Sequence, residues 1–96
     1  MVIAGYPVRD EGVVWRDIAG EVVIAERDNT TVRVLNGTAS AVWILADGTR
    51  QVEDIIDEIC NRFDVTRVEA RTDAEEFYRQ LLNAGLVSLQ DHSLGI

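Results

Sequence analysis

Few side chains in this sequence are of types that perform chemistry, and their spacing matches no common catalytic arrangement. Cys60 lies within an apolar helical repeat, where a buried and inert thiol is the expected state. His92, the single histidine, lies in a predicted tail. Three acidic pairs have the ligand type that divalent cations prefer: Glu53 with Asp54, Asp57 with Glu58, and Glu75 with Glu76. They also fit a solvated helix face, and no glycine-bearing calcium loop accompanies them. We therefore expect no enzyme, no metal and no cofactor.

Length and charge narrow the possible functions further. A chain of 96 residues with 47% hydrophobic residues fits one domain with one core. The formal net charge of -8 repels phosphate backbones and anionic lipid, so neither nucleic acid nor a membrane is an expected partner. The single cysteine cannot close an internal disulfide, and the sequence has no signal peptide or long apolar span. These features predict a cytoplasmic protein.

The first third of the chain reads as β-structure. Residues 1–12 lack periodicity and predict an irregular N-terminal arm. Residues 13–18, 21–25 and 30–35 are rich in β-branched residues and are separated by turn-forming pairs, which predicts a three-stranded antiparallel meander. In sequential order its third strand lies at an edge, where unpaired N–H and C=O groups are available to another chain.

The remainder of the chain reads as helices. Asn36 is a preferred N-cap residue and predicts a first helix over residues 38–46. Apolar residues spaced three and four apart predict a second, amphipathic helix over residues 52–63.

A third helix has a start signal of its own. Thr72 and Glu75 have the form of a capping box, which predicts that this helix begins there after a loop over residues 64–71. Residues 86–89 have the composition of a short closing strand, and residues 90–96 are expected to form a flexible tail.

Several segments together resemble the PqqD family, the small recognition elements for precursors of ribosomally made, modified peptides. The likeness covers residues 13–89, although each segment by itself is short. The segments that carry it are Leu35-Asn36-Gly37-Thr38-Ala39, Val42-Trp43, Leu45-Ala46-Asp47-Gly48, Val52-Glu53-Asp54-Ile55 and the stretch from Asp73 through Leu81-Leu82-Asn83-Ala84-Gly85-Leu86.

The resemblance implies a fold and a function. The fold is an α+β domain with a three-stranded antiparallel sheet followed by three helices, similar to a winged helix, and it has no catalytic activity. Its function is to bind the leader segment of a precursor peptide and to present it to a modifying enzyme. That enzyme is a radical SAM maturase in pyrroloquinoline quinone biosynthesis and a protease in lasso-peptide biosynthesis.

An exposed edge strand suggests how such a peptide would bind. An extended leader can add to the third strand through main-chain hydrogen bonds, while alternate side chains enter a groove beside the third helix. Mapped onto this sequence, the family's groove takes Thr31, Val32, Arg33, Val34 and Leu35 from the strand, and Phe77, Tyr78, Leu81 and Ala84 from the helix. Asp73 and Glu76 either steer a basic leader residue or simply form the solvated start of the helix, and the second role is the default expectation.

Three points stay open at this level. Phe77, Leu81 and Ala84 share one flank of the third helix and Tyr78 shares the next, so either flank can be the one that receives the peptide. The solution state is a monomer or a strand-exchanged dimer. A winged-helix DNA-binding regulator is the alternative function, and the acidic charge opposes it.

Overall fold

The change from strands to helices occurs at Asn36, as its side chain predicts. In the computed structural model, which describes residues 3–26 and 31–94, Asn36 Oδ1 accepts a hydrogen bond of 2.8 Å from the backbone N–H of Ala39. This bond satisfies one of the N–H groups that the first turn of a helix leaves unpaired.

The described residues form five strands and three helices. The elements are β1 (Tyr6–Arg9), β2 (Val14–Ile18), β3 (Glu21–Ala25), β4 (Val32–Val34), α1 (Gly37–Leu45), α2 (Val52–Arg62), α3 (Arg67–Asn83) and β5 (Val87–Gln90). Strands β2, β3 and β4 form an antiparallel sheet in that order, and β1 pairs with β5 in a separate two-stranded ribbon. The predicted α+β fold is confirmed. The predicted position 30 of the third strand lies outside the described residues.

The predicted irregular arm over residues 1–12 is wrong in its central part. Tyr6–Arg9 forms β1 and pairs with Val87–Gln90, while Ile3 is only 4% exposed and belongs to the core. Pro7 lies within this strand, which is permitted because a two-stranded ribbon leaves N–H groups without a partner strand. The predicted tail begins too early as well, since Gln90 belongs to β5 and Leu94 donates from its backbone N–H to the carbonyl of Gly48.

The predicted start of the third helix is also wrong. Helix α3 begins at Arg67, and the capping box is formed by Thr66 and Glu69 instead of Thr72 and Glu75. Thr66 Oγ1 accepts from the N–H of Glu69, and the Glu69 carboxylate accepts from the N–H of Thr66, each at 3.1 Å. Thr66 and Thr72 are each followed by a glutamate three positions later. The pair that forms the cap is the one nearer to the end of α2.

The core lies between the inner face of the three-stranded sheet and the three helices. Its fully buried side chains come from every layer, with Ile24 from β3, Trp43 from α1, Ile55 and Ile59 from α2, and Tyr78 from α3. The two tryptophans are both part of this packing, since Trp15 meets Trp43 edge-on with ring centroids 6.0 Å apart. Such an arrangement is favoured by the aromatic quadrupole.

Arg9 connects β1 to the C-terminal end of α1. Its guanidinium donates to the carbonyls of Trp43 at 2.9 Å and Ile44 at 2.6 Å, and it stacks 5.0 Å from the ring centroid of Trp15. These carbonyls belong to the last turn of α1, which has no basic residue of its own and where a cation is favourable. The ribbon is thereby fixed to the helical layer.

Within the described residues, no helix is long and apolar enough to cross a membrane.

Candidate functional site

Strand β4 has a free border on the side away from β3. The N–H of Leu35 donates to the carbonyl of Val22, and the N–H of Glu26 donates to the carbonyl of Thr31, both at 2.9 Å. Hydrogen-bonded and non-hydrogen-bonded pairs alternate along an antiparallel ladder. Val32 and Val34 therefore direct their N–H and C=O groups away from β3. Among the described residues, no strand pairs with this border.

The C-terminal end of this border is held by α1. Ser40 is 1% exposed, and its hydroxyl accepts from the N–H of Val22 at 2.8 Å and donates to the carbonyl of Leu35 at 3.2 Å. The hydroxyl thus takes the place of a direct ladder bond between β3 and the residue that follows β4. This contact fixes where the strand stops and where the helix departs.

The side chains of the strand point in alternating directions. Val32 and Val34 are 60% and 65% exposed and lie on the outer face of the sheet. Leu35 is buried on the inner face, so its side chain is directed away from a ligand on the outer side of the sheet. Arg33 is paired with Glu26 at 2.9 Å. The strand therefore offers its backbone to a ligand, and its inward side chains are already engaged.

A cavity of about 290 Å³ continues from the end of β4 into the space between α1 and α3. It begins at Asn36, directly after the strand. Its walls are apolar at the base and polar at the rim, and its lining consists of Asn36, Thr38, Ala39, Val42, Asp73, Ala74, Glu76, Phe77 and Gln80. Such a cavity suits one or two side chains of a peptide, with room for a basic group beside the two carboxylates.

The structure brings together only part of the predicted helix set. Asp73, Glu76 and Phe77, three of the residues that the sequence suggests for peptide binding, line the cavity. Tyr78 and Leu81 are fully buried, so the prediction that they line the groove is wrong. Ala84 is the C-cap of α3 and lies outside the lining of this cavity.

Burial of Tyr78 has a clear physical consequence. Its hydroxyl donates to the carbonyl of Val42 at 3.4 Å, and burial raises the pKa of the phenol above its ordinary value. The ring is therefore a neutral core group that packs α3 against α1. Phe77, on the other flank of α3, is half-buried and lines the cavity.

Sequence reasoning missed the contribution of α1 to the cavity. The sequence indicates Asn36 only as a helix cap and gives no sign that Ala39 and Val42 line a cavity. The predicted set on α3 also lacks Gln80. Its spacing of three and four residues from Phe77 and Glu76 places it on the same side of the helix, and this spacing is visible in the sequence.

Ion pairs hold α3 at a fixed angle beside α2. Arg67 and Arg71 both bind the carboxylate of Glu53, at 2.8 Å and 2.7 Å, and Arg67 also binds Asp57. The hydrogen bond from Arg71 and the nearby positive charges hold the pKa of Glu53 below its ordinary value. Two of the acidic pairs considered as metal ligands thus serve in helix packing. Within the described residues, no three His, Cys, Asp or Glu side chains form a group that could hold a metal ion.

Comparison with solved structures finds the same architecture in a peptide complex. The structure described as TbiB1 in complex with the TbiA(beta) leader peptide superimposes with a TM-score of 0.72 and 32% sequence identity. The match covers 84% of this chain and 94% of the TbiB1 chain. No curated protein matches this chain.

Comparison with protein families gives one match that spans most of the domain. The family is described as Coenzyme PQQ synthesis protein D (PqqD), and the match covers residues 21–87, from the start of β3 to the start of β5. It therefore includes the free border of β4, the cavity and all three helices. This chain belongs to the PqqD family.

Proposed function

We propose that this chain is a non-catalytic recognition element that binds the leader segment of a ribosomally made precursor peptide. The observation that carries the proposal is the free border of β4, where Val32 and Val34 direct main-chain donors and acceptors outward. An extended peptide can pair with these groups as a fourth strand. Support comes from TbiB1, a structure of similar fold that was solved with a leader peptide.

The cavity beside the border gives the bound peptide its register. A leader strand that follows β4 passes Asn36 and can place a side chain between α1 and Phe77. Main-chain pairing supplies affinity that depends little on sequence, and the cavity supplies selection. Asp73 and Glu76 favour a leader that carries a lysine or an arginine near this point.

The bound leader would then be presented to a peptide-modifying enzyme. Membership of the PqqD family supports a radical SAM maturase or a leader-removing protease as that enzyme. The DNA-binding alternative is disfavoured, because α3 presents two carboxylates, Asp73 and Glu76, at the cavity and the chain has a net charge of -8.

The direct experiment is calorimetric titration of the chain with the leader peptide encoded beside it, using the variants Val34→Pro and Val34→Ala. Proline removes the outward N–H of the border, while alanine keeps it and removes the side chain. We expect Val34→Pro to weaken leader binding by about tenfold or more, which corresponds to the loss of one to two main-chain hydrogen bonds. Val34→Ala should bind within about threefold of wild type.

Circular dichroism melting curves show whether Val34→Pro is folded. Equal weakening by both variants would mean that the side chain, and not main-chain pairing, carries the affinity. The absence of binding by the wild-type chain would contradict the proposed function itself.

A further inference from the structure

The outer face of the three-stranded sheet is apolar and uncovered in the part of the chain that the structure describes. Val14, Ile18, Val32 and Val34 are between 58% and 65% exposed, and the half-buried Val23 and Ala25 lie between them. These six residues are called the outer face. Soluble monomers rarely leave a contiguous apolar patch on a sheet without an interaction partner.

Strand register shows that these side chains form one continuous surface. Val14 pairs with Ala25 and Ala25 with Val32, while Val23 pairs with Val34 in the next row. Side chains opposite one another on a sheet face are in contact range. A shallow cavity of about 220 Å³ runs across this surface, and among the described residues that line it Arg16 is the one that carries a charge.

Arg16 places a positive charge on the outer side of the sheet, among the apolar side chains. It lies beside Val23, and the structure contains no hydrogen bond or ion pair from it to another described residue. A guanidinium that becomes desolvated in an apolar contact requires a carboxylate partner. A second copy of this chain fits poorly, because two chains that each carry a net charge of -8 repel one another.

The outer face is also continuous with the free border of β4. Val32 and Val34 belong to both, with their main-chain groups directed along the sheet plane and their side chains directed out of it. A leader strand bound at the border therefore lies beside the outer face and leaves it accessible. A partner docked there would reach the leader directly.

We propose that the outer face is the docking surface for the peptide-modifying enzyme, which meets it with an apolar patch that carries a carboxylate opposite Arg16. This inference rests on the proposed function, since it names the surface by which the bound leader is delivered. Enzyme binding and leader binding then use different groups of the same sheet, so they can be separated by mutation.

The test measures two affinities for each variant: for the purified modifying enzyme encoded beside this chain, and for the leader peptide. The variants are Val14→Glu, Arg16→Glu and Arg16→Lys. The matched control is Val68→Glu on α3, where the valine is 75% exposed and lies outside the outer face. We expect Val14→Glu and Arg16→Glu to weaken enzyme binding by at least about tenfold, with leader binding within about twofold of wild type. Arg16→Lys and Val68→Glu should keep most of the enzyme affinity.

Enzyme binding at wild-type affinity by both glutamate variants would overturn the proposal. An equal loss in Val68→Glu would also overturn it, because the effect would then follow net charge and not location. Light scattering that shows a wild-type dimer converted to a monomer by Arg16→Glu, with enzyme binding intact, would assign the face to a second copy instead. If the wild-type chain binds the enzyme through this face but binds no leader, the docking surface stands and the proposed function fails.

Discussion

Ser40 shows how one hydroxyl can define a binding border. It is a small, buried polar side chain in a mostly apolar helix, and it lies between the N–H of Val22 and the carbonyl of Leu35. Both of these groups belong to the end of the sheet, and both would lack a partner without it. The residue thereby couples the position of α1 to the position of β4.

We expect Ser40→Ala to lower the free energy of unfolding by about 1–3 kcal/mol, because it leaves a buried donor and a buried acceptor unpaired. Ser88→Ala is the matched control, since Ser88 is exposed on β5 and should change stability by less than about 0.5 kcal/mol. Urea denaturation monitored by circular dichroism measures both. Equal stability of the two variants would show that the ladder closes without the hydroxyl.

At the scale of single residues, the sequence only partly distinguishes side chains that line the cavity from side chains that fill the core. Phe77 and Tyr78 were both predicted to line the groove, yet Phe77 lies at the cavity and Tyr78 is fully buried. Helical periodicity identifies the apolar stripe, but neighbouring positions on that stripe differ by 100°, and only the packing partner decides which side is covered. That partner, α1, is set by tertiary structure.

At the scale of elements, α3 illustrates two competing start signals. Thr66 with Glu69 and Thr72 with Glu75 have the same spacing, and sequence alone does not rank them. The structure selects the earlier pair, which adds more than one turn to the helix and brings Arg67 and Arg71 to Glu53 on α2. Tertiary ion pairing and the burial of Ala70 favour this longer helix.

We expect Thr66→Ala to reduce stability by about 0.5–2 kcal/mol through loss of the N-cap bond. Thr72→Ala should be neutral or slightly stabilising, because Thr72 lies inside the helix, where alanine has the higher propensity. Thermal melting of the two variants compares the start signals directly. The reverse order of stabilities would place the start of the helix at Thr72.

The same cap predicts a pH dependence. Hydrogen bonds from the backbone N–H and the side chain of Thr66 hold the pKa of Glu69 below its ordinary value. A depressed carboxyl pKa contributes stability above the pKa of the unfolded chain, and this contribution is lost as the pH falls through the lower folded pKa. The melting temperature of Glu69→Ala should therefore lie below that of the wild type at neutral pH. The two melting temperatures should converge in acid, where the carboxylate of Glu69 is protonated.

Glu11→Ala, at an exposed position outside the helices, controls for the loss of one negative charge. A difference between Glu69→Ala and wild type that stayed constant from neutral to acidic pH would contradict the assigned cause.

Strand β1 shows why the N-terminal segment could not be predicted. Its four residues contain a proline and no alternation, so no local signal marks them as a strand. They become one only because β5, about 80 residues later in the chain, supplies the pairing partner. The β2–β3–β4 meander was predictable because its strands are adjacent in sequence and joined by recognisable turns.

At the scale of the whole molecule, the ribbon of β1 and β5 lies largely outside the segment matched by the family, yet it belongs to the same folded unit. Ile3 contributes a buried side chain, and Arg9 caps α1. The N-terminal segment is thus an integral part of the core and not an appendage.

We expect Ile3→Ala to lower the free energy of unfolding by about 2–4 kcal/mol, as is typical for truncation of a buried isoleucine. Val68→Ala is the control, because the exposed Val68 should contribute less than about 0.5 kcal/mol. Chemical denaturation measures the difference. A cost for Ile3→Ala as small as that of Val68→Ala would mean that the segment before β1 does not pack on the core.

The shortness of β4 has a consequence for ligand length. In the part of this border that the structure describes, Val32 and Val34 direct main-chain groups outward, and the contact of Ser40 with Leu35 follows directly. Along this described part a docked segment can form a few ladder bonds, which corresponds to about five residues of extended chain. A minimal synthetic fragment of the leader, centred on those residues and extended only far enough to fill the adjoining cavity, should retain most of the recognition of the full-length leader.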